Sequence, residues 1–168
     1  MKKNILVIAI VFFLFSCGNE SASVKKLQSR IDSLEQKVND SYKPGLGEFM
    51  SGIQVHHEKL WFAGINENWD LADFEIHEIM ESVDAIKKYE IERTESKAIP
   101  MIEPALDSVN AAIKQRNLAQ FKNSFVLLTN TCNNCHKDVN YPFNNVKIPE
   151  TPPFSNQVFQ LQNKPVRK

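Results

Sequence analysis

LAQFKNSFVLLTNTCNNCHKDV, residues 118–139, is the stretch that decides the fold of this 168-residue chain. Its apolar residues and cysteines recur three and four positions apart, which is the spacing of one face of an α-helix. The series is Leu118, Phe121, Phe125, Leu128, Cys132, Cys135 and Val139. The spacing therefore predicts an amphipathic helix whose buried face carries both cysteines.

The end of this helix, Cys132-Asn133-Asn134-Cys135-His136, carries the chemistry. Two cysteines three apart, followed at once by histidine, form the attachment signature of c-type haem. The two thiols form thioethers with the vinyl groups of the porphyrin, and the adjacent imidazole reaches the iron from one face. We therefore expect one covalent haem c held by Cys132 and Cys135, with His136 as the proximal iron ligand.

Two other interpretations of the CxxC pair are weaker. A thioredoxin-like redox pair should follow a strand and open a helix, where the helix dipole lowers a thiol pKa. A structural zinc site needs a second Cys/His pair at matching spacing. This pair stands at the far end of a helical pattern, and the sequence contains no second pair. Haem attachment is therefore favoured.

Residues 1–16 are predicted to form an export signal. A positive N-terminus precedes the apolar run of residues 5–15, which is too short to span a bilayer comfortably. The run ends in LFSC at residues 14–17, which resembles a bacterial lipobox. That resemblance implies removal of residues 1–16 and acylation of Cys17, and an ordinary secretory signal is the alternative. Gly18 follows Cys17 and favours the outer membrane, so we expect a lipid-anchored protein of the cell envelope.

Cysteine count and charge narrow the function classes further. Of the three cysteines, Cys17 would carry lipid and the other two haem, which leaves none for a structural disulfide. The full chain has 20 basic and 20 acidic residues, and loss of Lys2 and Lys3 with the signal leaves 18 basic ones. A nearly neutral chain argues against binding to nucleic acid and against electrostatic binding to a membrane surface.

Residues 17–45 are predicted to form a lipid-anchored stalk. The apolar residues repeat at intervals of 3, 4, 3 and 4, the pattern of a coiled-coil seam: Val24, Leu27, Ile31, Leu34 and Val38. A seam of fewer than three heptads is short for independent stability. The segment is therefore either a stalk that forms a homo-oligomer through residues 24–41 or a single amphipathic helix. Pro44 and Gly45 end it.

Residues 46–139 have helical periodicity almost throughout. Apolar residues three and four apart predict helices that begin at Leu46 and Trp69, and Asn117 is placed to cap the last helix. Four amphipathic helices joined by short connections predict an all-α domain. The expected arrangement is an antiparallel up-down four-helix bundle with the CNNCH motif near the end of its last helix.

Prolines mark the two remaining segments. Pro100 and Pro104 suit the first turn of the third helix, where no backbone N–H bond is needed. Residues 140–168 contain five further prolines and are predicted to be irregular. Three phenylalanines make this tail more apolar than a typical disordered terminus. The tail therefore either wraps the domain and shields a haem edge or stays loose.

A four-helix bundle with its haem motif late in the last helix resembles cytochrome c prime and its low-spin relatives. The resemblance covers about residues 46–139 and rests specifically on Cys132, Cys135 and His136. This family divides by what lies opposite the histidine. In cytochrome c prime that face is vacant and can bind nitric oxide or carbon monoxide. In the low-spin relatives a methionine of the first helix fills it, and the protein carries electrons.

The distal iron ligand has five candidates, namely Met50, His56, His57, Met80 and Met101. In an antiparallel pair the start of the first helix faces the end of the last, so Met50 is level with His136. His57 shares the face of Met50 but lies seven residues further, about 10 Å along the axis, beside Thr129. Met50 is therefore the preferred ligand, ahead of an open iron and of histidine ligation.

The expected function is that of a lipid-anchored monohaem electron carrier with protein redox partners. Methionine–histidine ligation keeps both oxidation states low-spin and raises the potential. An open distal face would instead give a protein that binds or senses small gases such as nitric oxide. A third interpretation, a helical scaffold protein without haem, would require the CNNCH motif to be coincidental. The sequence has no nucleophile–base signature, so we do not expect an enzyme. Lys59, Lys137 and Arg116 are candidates for pairing with haem propionates.

Overall fold

The computed structural model describes residues 22–41 and 44–161, apart from the side chains of residues 39–41. Over these residues the protein is all-helical and contains no strand, as the sequence predicts. The predicted signal peptide and Cys17 lie outside the described residues. No helix of the described part is long and apolar enough to cross a membrane. The chain divides between residues 43 and 44 into two compact units.

The first unit contains one described helix, α1 (Ala22–Ser41). The five residues of its predicted seam are all exposed, from 46% at Val24 to 70% at Val38. Most of the stability of a helix in a protein comes from packing of its apolar face. Oligomerisation through this seam therefore stays a prediction.

In its described residues, 44–161, the second unit contains four α-helices, close to the predicted bounds. They are α2 (Leu46–Ile65), α3 (Trp69–Tyr89), α4 (Glu103–Lys114) and α5 (Leu118–Asp138). Helix α2 packs on α3 and α5, and α4 packs on α3 and α5. The apolar faces meet in one core, whose most buried members include Leu60, Ile76, Ile79, Ile86, Leu106, Val109, Phe121, Phe125 and Leu128.

Helices α2 and α4 end in the same way. Glu67 (φ 56°) and Arg116 (φ 51°) adopt the left-handed conformation just beyond the two helices. The next residue, Asn68 or Asn117, donates its N–H back to the last turn, at 2.9 and 3.0 Å. The same asparagine caps the following helix, because its side-chain oxygen accepts an N–H three residues on, at 3.4 and 3.1 Å. Each pair of helices is thus joined by a short, defined turn.

The segment before α4 differs from the prediction. Residues Glu95–Ile102 form a 3-10 helix that contains Pro100, whereas Pro104 occupies the first turn of α4. The placement of Pro100 in the third helix is therefore wrong. A 3-10 helix brings residues three apart onto one side. Ile99 and Ile102 are accordingly buried, at 4% and 8% exposure, and they anchor the segment on the core.

The described part of the C-terminal tail, residues 140–161, has no regular secondary structure but packs against the helices. Phe159 is 2% exposed, and its ring centroid lies 5.7 Å from that of Phe62 on α2. The Asn68 amide donates a hydrogen bond to the carbonyl of Phe159 at 3.1 Å. The part of the tail around Phe159 therefore packs on the helices and covers part of their core.

One part of the core, the aromatic cluster, consists of Trp61, Trp69, Phe121 and Phe125. Phe121 lies 6.3, 6.1 and 5.9 Å from the other three rings, between centroids, and Trp61 lies 4.9 Å from Phe125. Gly64 faces this cluster so closely that an added Cβ would overlap the ring of Phe121. The aromatic side chains leave no room for a larger residue at that position.

Candidate functional site

A mostly apolar cavity of about 210 Å³, here called the cysteine cavity, lies at the last turns of α5. Its walls come from α2, α3, α5, the 3-10 helix and the tail. The residues that line it are Gly47, Met50, Ser51, Ile53, Gln54, His57, Val83, Ile99, Ile102, Cys132, Cys135, His136, Asn144 and Val146. All three residues of the predicted haem motif therefore face one space, together with Met50 and His57.

A second cavity of about 220 Å³ adjoins the first. The two cavities share six lining residues, namely Gly47, Met50, Ile99, Cys135, His136 and Asn144. The two cavities therefore meet at Met50, Cys135 and His136. Gly47 of α2 is exposed at this point, and an ideal Cβ built on it would meet nothing within 4 Å.

The cysteines face the cavity because of their spacing on α5. Residues three and four apart lie on the same face of a helix, which brings Cys132, Cys135 and His136 together. Cys135 is buried and donates a weak hydrogen bond from its sulfur to the carbonyl of Ala98, at 3.8 Å. Cys132 is half-buried, and neither thiol forms a disulfide.

Both thiols are held in their neutral form. Burial raises the pKa of Cys132 to about 12, with a further contribution from the neighbouring Cys135. Burial also raises the pKa of Cys135, and the charge of Asp138 adds to the effect. A redox CxxC pair needs the opposite, a thiol pKa that is lowered toward neutrality. The site therefore does not suit thiol–disulfide exchange.

His136 has one ring nitrogen engaged by the backbone. Its Nδ1 lies 2.6 Å from the carbonyl oxygen of Asn144, and a carbonyl only accepts, so Nδ1 carries the proton and donates. The lone pair of Nε2 is then available for a metal. A metal-ligating histidine ordinarily donates its other N–H in this way, which fixes the tautomer and orients the ring.

A chain reversal at the end of α5 brings Asn144 to His136. Asn140 adopts the left-handed conformation, with φ 67°. Its N–H donates to the Lys137 carbonyl at 3.1 Å, and the N–H of Tyr141 donates to the His136 carbonyl at 2.7 Å. These two bonds form the usual left-handed helix end. The chain therefore turns back along α5.

A second contact holds the returning chain. The side-chain oxygen of Asn133 accepts the N–H of Val146 at 2.7 Å, and its amide donates to the Val146 carbonyl at 2.8 Å. This pair of bonds satisfies both polar backbone groups of Val146. Asn133 thus fixes the segment that carries the acceptor for His136.

On α2, His57 is a neutral core histidine at the edge of the cavity. Its Nε2 lies 2.9 Å from Thr129 Oγ1, so the predicted proximity of His57 to Thr129 is confirmed. Thr129 donates its own proton to the Phe125 carbonyl at 2.9 Å and therefore accepts from Nε2–H of His57. Burial lowers the pKa of His57 to about 4.

The other candidate ligands lie away from the cysteine cavity. His56 pairs with the buried Glu75, with 2.7 Å between Nδ1 and Oε2. The sulfur of Met80 lies 4.0 Å from the amide of Asn110 and lines a different cavity. Met101 is 40% exposed. Of the five candidates, Met50 and His57 line the same cavity as His136.

The three cations expected beside haem propionates do not line either cavity. Lys59 lies 3.8 Å from the Glu75 carboxylate. Arg116, on the turn before α5, lies 3.7 Å from the Asp70 carboxylate. Lys137 is exposed and does not line either cavity.

Arg93 is a cation at the second cavity that the sequence does not single out. Arg93 and Glu95 line the second cavity and hydrogen bond to each other at 2.9 Å. Tyr141 of the tail donates its hydroxyl to Glu95 at 3.1 Å. The bond to Arg93 lowers the pKa of Glu95 to about 2, so the pair stays ionised. Arg93 lies in an irregular connection after α3, where periodicity gives no signal.

The residues present fit a covalently held haem. They offer two thiols and an imidazole with a free Nε2 on one helix face, beside adjoining cavities with largely apolar walls. A methionine sulfur, which is a known haem ligand, is available in the same cavity. Comparison with protein-family models, with curated proteins and with solved structures found no match for this chain.

Proposed function

We propose that this chain is an exported, lipid-anchored monohaem c-type cytochrome that carries electrons. The observation that carries the proposal is the convergence of Cys132, Cys135 and His136 on one apolar cavity. The Nδ1–H bond to Asn144 adds to it, because it leaves Nε2 of His136 available. Haem, when bound, supplies an iron that gains and loses one electron.

The proposal includes an antiparallel four-helix arrangement like that of cytochrome c prime and its low-spin relatives. Three contacts between α2 and α5 support it: Met50 shares a cavity with His136, His57 bonds to Thr129, and Gly64 faces Phe121. As residue numbers rise along α2, the numbers of their neighbours on α5 fall. Two helices in that register run in opposite directions.

Each residue has a separate role. Cys132 and Cys135 provide the thioether sulfurs, and His136 binds the iron through Nε2. Met50, which lines the same cavity as His136, would provide a methionine sulfur as a second iron ligand. The mostly apolar cavity walls would limit contact with water, and the guanidinium of Arg93, which bonds to Glu95 through one of its nitrogens, would have further N–H donors for a propionate at the second cavity. Lipid on Cys17 holds the domain at the envelope membrane, within reach of redox partner proteins.

Covalent attachment is the first test. Protein produced with a haem-attachment system should keep its haem after denaturation and extraction with acidified solvent. The double variant Cys132→Ser/Cys135→Ser should lose all haem under the same treatment. Cys17→Ser is the matched control, because it removes a third cysteine, and it should keep haem while losing incorporation of labelled fatty acid. A wild-type chain that releases all haem and has free Cys132 and Cys135 thiols would overturn the proposal.

The distal ligand is the second test. The ferric wild type should have the weak long-wavelength absorption band of sulfur-to-iron charge transfer, and the ferrous protein should bind carbon monoxide slowly. Met50→Ala should remove the band, open the iron to carbon monoxide and lower the potential. His57→Ala, on the same helix face, should leave the coordination unchanged. A five-coordinate, high-spin wild type would contradict electron transfer and support the gas-binding alternative.

A further inference from the structure

We infer that Asn133, inside the CNNCH motif, is a positioning residue that sets the donor strength of His136 through the backbone of the tail. This inference rests on the proposed function, since it concerns the axial ligand of the haem. Asn133 itself does not bond to His136. It acts through Val146 and the neighbouring carbonyl of Asn144.

The geometry provides a closed loop. The chain leaves α5 through the left-handed Asn140 and returns to α5 at Val146. Within this loop, the Asn144 N–H donates to the Tyr141 carbonyl at 3.0 Å, which forms a turn. The loop is therefore fixed at its exit by the helix end and at its return by the two bonds from Asn133. Between these points lies the carbonyl that accepts from His136.

The register on α5 couples the two contacts. Asn133 and His136 are three residues apart, so their side chains lie on neighbouring positions of one helix face. Asn144 and Val146 are two residues apart on the facing segment. Both residues of α5 thus bond to the same short stretch of tail. His136 bonds to the Asn144 carbonyl at 2.6 Å, and Asn133 bonds to the N–H and the carbonyl of Val146 at 2.7 and 2.8 Å. Loss of the Asn133 bonds frees the stretch that carries the Asn144 carbonyl.

The consequence for the iron follows from ligand chemistry. A hydrogen bond from Nδ1–H to a carbonyl makes an imidazole a stronger electron donor and fixes its ring orientation. A stronger donor stabilises the ferric state more than the ferrous one and lowers the reduction potential. Asn133 therefore favours a lower potential, although it touches neither haem nor imidazole.

The chain offers a matched control in the same motif. Asn134 is the adjacent asparagine and is exposed. Replacement of either residue by alanine changes the same atoms within the same helix and between the same two cysteines. Only Asn133→Ala removes the bonds to Val146.

The experiment compares Asn133→Ala, Asn133→Asp and Asn134→Ala with the wild type, all as haem-loaded full-length protein. Asn133→Ala should raise the reduction potential. It should also accelerate solvent exchange of the His136 Nδ1 proton and of the Val146 amide, and each of these two exchange rates should rise by about tenfold. Asn133→Asp keeps the acceptor for the Val146 N–H and should therefore accelerate the Val146 amide exchange by less than Asn133→Ala does. Asn134→Ala should match the wild type in all three measurements.

Failure of this inference is distinguishable from failure of the proposed function. A chain that attaches haem but has an unchanged potential and an unchanged His136 Nδ1 proton in Asn133→Ala would overturn the positioning role alone. Equal shifts in Asn133→Ala and Asn134→Ala would also overturn it, because they would reflect the helix rather than the bonds to Val146. A wild type without attached haem would overturn the proposed function and this inference with it. Val146 exchange would then test only the contact with Asn133.

Discussion

Helices α2 and α5 pass through two regions that are packed in different ways, the aromatic cluster and the cysteine cavity. In the cluster, a Cβ added to Gly64 would overlap the ring of Phe121. At the cavity, a Cβ added to Gly47 would meet nothing within 4 Å, and about 210 Å³ remains beside it. The same pair of helices is thus filled by its own side chains in one region and left open in the other.

This difference in packing indicates that the two regions have different roles in the domain. Protein interiors are ordinarily packed to the density of organic crystals, so an open apolar space of this size between well-packed helices calls for an explanation. The aromatic cluster packs α2 closely against α5, and the space lies where the CNNCH motif ends α5. We regard the cluster as the structural region and the cavity as the binding region.

The largest effect is expected from a cavity made in the cluster. Phe121→Ala removes a fully buried ring and should lower the free energy of unfolding by about 3–5 kcal/mol. Phe143→Ala makes the same chemical change in the tail, where Phe143 is 79% exposed, and should change the free energy of unfolding by less than about 0.5 kcal/mol. Denaturant unfolding measures both. Equal losses would contradict the division into a structural and a binding region.

An effect of similar size is expected from His57, which joins the two regions, since its ring lies 4.4 Å from Phe125 and it lines the cavity. Burial lowers its pKa from 6.5 to about 4 in the folded protein. Below pH 6.5 the unfolded chain therefore binds a proton that the folded protein excludes. The free energy of unfolding should fall as pH falls from 6.5 to 4, by about 3 kcal/mol in total from this group.

The His57 contribution can be isolated by substitution. In His57→Gln the fall in stability between pH 6.5 and 4 should be smaller than in the wild type, because the titrating group is absent. Chemical denaturation at intervals across this pH range gives the comparison. A His57→Gln profile that parallels the wild type would contradict the expected burial of a neutral imidazole.

A smaller effect is expected from two glycine substitutions in α2. Gly64→Ala should lower the free energy of unfolding by about 1–3 kcal/mol, because the methyl group forces the buried Phe121 ring to move. Gly47→Ala should be neutral or stabilising by up to about 1 kcal/mol, because alanine favours helix and the methyl group meets open space. Thermal unfolding of the two variants distinguishes the regions. A destabilising Gly47→Ala would mean that α2 is as tightly packed there as at Gly64.

The sequence was sufficient for the elements that depend on local rules. Apolar residues three and four apart placed α2, α3 and α5, and Asn117 placed the cap of α5. The same register put Cys132, Cys135 and His136 on one face and His57 beside Thr129. Each of these inferences uses only the geometry of a helix and the chemistry of residues that are close in sequence. A short stretch of chain therefore contains all the information that they need.

Tertiary structure decided what depends on residues far apart in sequence. The 3-10 helix around Pro100 exists because Ile99 and Ile102 dock on the core. Arg93 reaches the second cavity from an irregular turn, and Asn144 reaches His136 from the tail. Such contacts have no period, because they are set by where packed helices leave space. The sequence by itself determined which side chains share one face of a helix, and only the fold decided which groups surround them.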